Sequence, residues 1–510
     1  MNAKLTITAN LLAATLLTGC GGGGGGGGGS TPAPVAYFNV SFVRLQAVGA
    51  DANASCQNFG FSDDQQEKAI GYRATADSET SRFSIVIHNA DGSVVNTYSS
   101  DQIGASSTSY RFRQSAVPSD GFVSFVVKSE LGSYRATTFA KNLLPSSFQL
   151  GLRSSLASST CIASTSTAEV TRSAYINDSD NRNDYYGFNT YSQDLTSIDS
   201  HYSVGGFLSE GELDLTSLSG KQVFAVRYSN SLSDGSRGDL GALQSFKLLS
   251  LSNIREGSSN QILLDNVDDS GRTWTAPTDS SISLSQANMF VYRTGTGALM
   301  WQPMSASAST SAYSYDSSIG DSNYYVNLTG SLDTWSMSHT ENVTTPSADH
   351  DSSATITGLN LPSAANPVLY NCGSASNAGG QCLTIPDNSF SQDNTIVRIA
   401  RYLGTDAIHT VYANYGTDVP VMSFDDLNET LQDFLLGAAG IAEVSLFKAD
   451  SDQNYDSFTY GHSGAYAIAG LETSTTRFSD PVTLLSSVQQ QEAYQDELKY
   501  QPHTWLSASF

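Results

Sequence analysis

Nine consecutive glycines, Gly21–Gly29, set a boundary that no packed fold crosses. Glycine loses more backbone freedom on ordering than any other residue, and it has no apolar side chain to offset that loss. The run continues into Ser30-Thr31-Pro32-Ala33-Pro34, where the prolines add stiffness. Such a segment behaves as a coil of roughly 20 Å end to end. The foldable chain therefore begins after it. The residues before it have the layout of an export signal: Lys4, an uncharged run from Leu5 to Leu17, small residues and then Cys20. That apolar run is too short to span a bilayer as a mature helix.

Leu17-Thr18-Gly19-Cys20 resembles the lipobox of bacterial lipoproteins. The resemblance implies that residues 1–19 are a signal peptide removed on export. It also implies that the Cys20 thiol carries a diacylglycerol, and that a third acyl chain such as palmitate caps the new amino terminus. One acyl chain binds a membrane marginally, at ~0.8 kcal/mol per buried CH₂, and a second makes the attachment stable. In that family an aspartate directly after the cysteine favours retention in the inner membrane. Gly21 stands there, so the resemblance points to the outer membrane. A polyglycine tether after the lipidated cysteine is similar to lipoproteins displayed at the cell surface; the periplasmic face is the other location. Residues 20–35 are then a lipidated tether.

Composition constrains the body beyond the tether. The chain has 510 residues, of which 39% are hydrophobic and 10% aromatic, enough for packed cores in two to four domains. Only 15% are charged, and 49 acids against 25 bases give a formal charge of −24. This excludes a basic surface for nucleic acid or anionic lipid, and it suits a body that stands off a negatively charged membrane. Setting Cys20 aside leaves Cys56, Cys161, Cys372 and Cys382. An even remainder in an exported chain reads as two disulfides. Cys372 and Cys382 are close in sequence with glycines between them, which suits a local bridge, and Cys56–Cys161 then closes a long loop. Without a CxxC motif or a Cys–His cluster, these cysteines do not read as metal ligands.

The body reads as strands. Phe38–Leu45, Arg82–His88 and Val94–Tyr98 are rich in β-branched and aromatic residues, and Asp91-Gly92 between the last two is a hairpin signal. Phe122–Lys128 with Tyr134–Phe139, Gln222–Tyr228, Ser245–Leu251, Gln261–Leu264, Met289–Arg293, Ala298–Gln302, Ile396–Tyr402 and His409–Tyr412 continue the pattern. The expected fold class is mainly β, with tandem antiparallel β-sandwich domains and one or two short helices near the C-terminus. One helix is expected from Asp425 to Leu435, where Leu427, Leu431, Phe434 and Leu435 share a face, and Gln489–Lys499 reads equally as a second, more polar helix or as a loosely ordered tail. Polar stretches at Ser154–Thr171 and Thr340–Ser353 place domain boundaries, giving domains over 36–165, 166–345 and 346–510. A similar approach sequence precedes the hairpins at Met289–Gln302 and Ile396–Tyr412, with a shorter echo before Phe122–Phe139. Related domains and convergent turn chemistry both account for it.

Three chemical candidates stand out. Gly461-His462-Ser463-Gly464-Ala465 partly resembles the nucleophile elbow of serine hydrolases, with Asp480 and His503 following in the family's order. It departs from that pattern at Ala465 and lacks the surrounding strand–helix alternation, so a turn between strands is the simpler reading. Asp450–Asp456 and Asn177–Asp184 place oxygen side chains as calcium loops do. The first lacks the glycine and glutamate of such a loop, and a polar hairpin between Val444–Lys448 and Ser457–Tyr460 explains it as well. Trp274, Trp301, Trp335 and Trp505 suit either a sugar-stacking platform or a sandwich core. The closing residues to Phe510 bear a slight resemblance to the terminal signal of membrane barrels, with weak alternation.

The expectation is a non-enzymatic, outer-membrane-anchored lipoprotein acting as a surface coat, scaffold or adhesion protein, a class that includes components of flagellar sheaths. Its partners would be outer-membrane lipid through Cys20, other envelope or surface proteins, and glycans. No resident cofactor is expected. The alternatives are a calcium- or carbohydrate-binding adhesin and a serine hydrolase built on Ser463.

Overall fold

The computed structural model describes residues 35–510 except 54, 63–65, 76–80, 105, 130–133, 153–156, 164–168, 177–183, 190–212, 219–221, 231–239, 251–252, 254–260, 345, 353–366, 373–379, 386–392, 404–406, 417, 425–428, 438–440, 450–454 and 462–483. The protein is mainly β. Its centre is a twelve-stranded sheet with the order Gly297–Met304, Ile282–Arg293, Tyr324–Leu332, Trp335–Asn342, His503–Ser509, Ile441–Ala449, Thr395–Leu403, Ala407–Asn414, Tyr134–Ala140, Phe122–Ser129, Ser81–His88, Val94–Ser99. Neighbours are antiparallel except at one seam, where Ala407–Asn414 runs parallel to Tyr134–Ala140.

Smaller sheets pack on this one as sandwich layers. A seven-stranded sheet centred on Tyr37–Gly49 and Glu67–Ala74 meets one half through Phe42 against Phe83 and Phe148 against Phe125, both at 5.3 Å between ring centroids. A four-stranded sheet containing Gln222–Asn230 and Leu240–Ser250 meets the other half. There Phe224 and Phe246 close on Trp301 at 5.6 and 4.9 Å. Alternating burial along Tyr324–Leu332 is the period-two signature of a strand with one face in the core. Tyr134–Ala140 is buried throughout because it lies mid-sheet with both faces covered, one by the seven-stranded sheet through Phe148 and the other, where Thr138 meets His409, by Phe424.

The Asp91-Gly92 hairpin forms, with Gly92 at φ +81°. All three echoed hairpins lie in the twelve-stranded sheet. The boundaries expected at 165/166 and 345/346 do not coincide with breaks in hydrogen bonding. Residues 134–140 pair with 407–414, and 335–342 pair with 503–509, so one sheet draws strands from all three expected spans. Tyr37–Phe510 accordingly forms one compact unit.

Helices cover the sheet where its faces would otherwise meet water. Glu429–Leu436 buries Leu431, Phe434 and Leu435 as its spacing requires. The guanidinium of Arg401 donates to the carbonyls of Leu435 and Gly437, satisfying the helix's C-terminal end. Val488–Leu498 begins with a capping box in which Ser487 and Gln490 bond reciprocally. Asp456–Gly461 is helical, so the polar hairpin expected to end in a strand at Ser457–Tyr460 is not formed. The terminal segment His503–Ser509, legible only as weak alternation, is an interior strand of the large sheet.

Candidate functional site

Cys20, the expected lipid-attachment residue, lies outside the described residues, as do Ser463 and Asp480. The four remaining cysteines pair as Cys56–Cys161 and Cys372–Cys382. The first bridge joins Cys56, which also forms a β-bridge with Ala163, to the edge strand Ala157–Cys161 of the seven-stranded sheet. The second closes the hairpin of Val368–Asn371 and Gln381–Thr384.

His503, the histidine expected in the hydrolase alternative, is wholly buried. Its ring stacks on Phe447 at 5.2 Å, and its Nδ1–H donates to the Gln501 carbonyl at 2.8 Å. Burial lowers its pKa to about 4, and repulsion from His339 adds to this against the Gln501 bond. It is a neutral core histidine. Of the calcium candidates, 450–454 and 177–183 lie outside the described residues. Asp456 opens a helix, and Asp184 approaches Arg227 at 3.4 Å. Among the described residues no group of three or more His, Cys, Asp or Glu is arranged to hold a metal. Trp274, Trp301 and Trp335 are core residues and form no exposed platform; Trp505 is half-buried with its ring edge-on to Phe458 at 5.1 Å.

Two buried polar networks have no counterpart in the sequence reading. In the first, strand periodicity puts His339 and Glu341 on one face of Trp335–Asn342. Glu341 Oε1 accepts from His350 Nε2 at 3.1 Å and from Ser352 Oγ, and Ser352 Oγ in turn accepts from Trp274 Nε1 at 2.9 Å. His339 Nε2 stands 3.7 Å from Oε2, too far for a hydrogen bond, and its Nδ1 is bonded to Thr504 Oγ1 at 2.9 Å. Burial pushes the Glu341 carboxyl up, but His339, His350 and Ser352 together hold it well below the usual carboxylate range. The cluster ties the large sheet to the short sheet carrying Trp274 and His350.

The second network crosses four adjacent strands. His88 Nε2 is 2.8 Å from Ser124 Oγ, Ser124 Oγ is 2.7 Å from Thr138 Oγ1, and Thr138 Oγ1 is 2.9 Å from His409 Nε2. His88 Nδ1 lies 3.1 Å from the Gly92 carbonyl, and a carbonyl only accepts, so that nitrogen carries the hydrogen. His88 Nε2 then accepts from Ser124, Ser124 accepts from Thr138, and Thr138 accepts from His409 Nε2–H. Burial lowers His88 to about 4 despite the Gly92 bond, and burial with repulsion from Arg401 and His88 lowers His409 to about 3. Both are neutral at pH 7. No pattern in the sequence flags either network, because each joins residues from separate strands.

The chain matches no family model and no curated protein.

Proposed function

We propose that this protein is a lipoprotein anchored in the outer membrane through acylated Cys20, presenting its β body as a non-enzymatic coat, scaffold or adhesion surface. The observation that carries the reading is Leu17-Thr18-Gly19-Cys20 followed at once by Gly21–Gly29. Other features support it. Two disulfides suit an oxidising compartment outside the cytoplasm. A compact β body begins at Tyr37, directly after the tether. No helix among the described residues is long and apolar enough to cross a membrane, so a lipid anchor supplies an attachment those helices do not. A charge of −24 keeps the body clear of anionic headgroups.

Replacing Cys20 with serine tests the reading. The variant is expected in the soluble envelope fraction, and a variant still wholly membrane-bound would refute the anchor. Protease treatment of intact cells separates the two faces: digestion indicates the surface, and protection indicates the periplasm.

A further inference from the structure

The His88–Ser124–Thr138–His409 chain spans the parallel seam of the twelve-stranded sheet, linking Thr138 on Tyr134–Ala140 to His409 on Ala407–Asn414. Across this seam the first half of the body meets the last. Asn142 and Asn414 bond across it at its exposed end, and Phe139 stacks on Tyr412 at 4.8 Å. In the buried part of the seam, Thr138 to His409 is a polar side-chain link between the two halves.

Counting hydrogens decides what this chain tolerates. In the neutral state three inward hydrogens, from Ser124, Thr138 and His409 Nε2, serve three links. A proton added to His409 enters at Nδ1 and leaves the chain unchanged. A proton added to His88 enters at Nε2. Ser124 then turns its hydrogen to Thr138 and Thr138 turns its own to His409 Nε2, which accepts once its hydrogen has moved to Nδ1. All three links survive with their direction reversed. With both imidazoles protonated, four inward hydrogens compete for three links. One hydroxyl hydrogen is left without an acceptor in the chain, and two positive charges face one another in the interior. An unsatisfied buried donor and an uncompensated buried charge are both strongly destabilising.

Among the described residues the surroundings supply no relief. Phe424 covers both rings edge-on at 5.4 and 5.8 Å. Strands Phe122–Ser129 and Tyr134–Ala140 contribute the two hydroxyls. Arg401, from the strand paired with His409's own, and His88 are the charged or titratable groups acting on His409. Arg401 is a cation that opposes further positive charge. Among the described residues no carboxylate acts on either ring.

We propose that this chain is a single-proton latch: it accommodates one added proton and parts on the second, so that acid opens the sheet along its parallel seam. The proposal is independent of the lipid anchor. Amide hydrogen exchange read by mass spectrometry on the full chain tests it. Protection factors are corrected for the intrinsic pH dependence of exchange. Those of 134–140 and 407–414 are expected to fall on the order of tenfold or more between pH 6 and pH 4. The hairpin of Gln222–Asn230 and Leu240–Ser250, which contains no histidine, should lose less protection than the seam over the same range. His409→Gln cannot take a proton, and its amide can turn either its N–H or its oxygen to Thr138, so at most one proton enters the chain and the fall should shrink to the part that His88 alone contributes. Should that variant not fold, His88→Gln carries the matching expectation, with His409 in place of His88. A seam no more pH-sensitive than the control hairpin overturns the latch. So do equal loss of protection in both places and a glutamine variant that retains the fall undiminished.

Discussion

Gly92 and Gly295 have nearly the same positive φ in different surroundings, and replacing each with alanine separates conformational strain from contact. Both sit in the left-handed region, at φ +81° and +82°. An alanine there costs about 1–2 kcal/mol from its own backbone conformation at either site. At Gly295 an added Cβ meets nothing within 4 Å, so that is the whole cost. At Gly92 the Cβ would stand 2.6 Å from the Val421 carbonyl oxygen and 3.2 Å from Pro420 Cβ. Backbone cannot give way as a side-chain tip can, so the turn must lift from the Val421–Phe424 segment. That displaces two bonds to the Gly92 carbonyl, from the Ser423 N–H at 2.9 Å and from His88 Nδ1 at 3.1 Å. Each bond contributes about 1 kcal/mol net. Gly92→Ala is therefore expected to cost about 3–4 kcal/mol in all, roughly 2 more than Gly295→Ala. Urea unfolding of the two variants and the parent, followed by tryptophan fluorescence, measures the difference. Equal losses would refute the claim that the hairpin turn is seated against this segment.

The Cys56–Cys161 bridge spans 105 residues and Cys372–Cys382 spans 10, so chain entropy assigns them about 4.7 and 2.7 kcal/mol. Paired serine replacements should lower stability in that order, and the reverse order in urea unfolding would refute the assignment. His503 has its folded pKa depressed to about 4 by burial, so its contribution is complete above the unfolded value of about 6.5 and is lost as pH falls toward 4. Up to about 3 kcal/mol of acid sensitivity should vanish in His503→Gln; stability profiles for parent and variant that differ by a constant offset would contradict this. Ser487→Ala removes the acceptor for the Gln490 N–H and should cost about 1 kcal/mol, with exchange at the start of Val488–Leu498 accelerated before the rest of that helix.

Fold class is legible in the sequence because strands with one buried face announce themselves by composition and alternation. Phe38–Leu45, Arg82–His88 with Val94–Tyr98, and Ile396–Tyr402 each form where composition places them, a few residues longer. The hairpin of Tyr324–Leu332 and Trp335–Asn342 is not legible in the same way. Its two-residue turn is Asp333-Thr334, with Asp333 rather than glycine in the left-handed region at φ +51°, so the usual turn signal is absent. Ser457–Tyr460 reads as a strand from its aromatic and β-branched residues. It folds as a helix because Phe458 and Tyr460 are buried against Phe447 and Tyr494. Domain limits are not legible, since polar stretches mark turns whether or not the flanking strands share a sheet. The cysteine pairing follows from parity and spacing, whereas the buried histidine networks depend on strand order, which local pattern does not encode.

The proposed attachment to the envelope rests on the chemistry of one sulfur. Mass spectrometry of the amino-terminal peptide of the mature protein, purified from membranes, addresses it directly. The predicted result is a peptide beginning at Cys20 that carries the mass of a diacylglycerol on sulfur and an acyl chain on nitrogen. A mature chain with an unmodified Cys20 thiol, or one that retains residues 1–19, would contradict it.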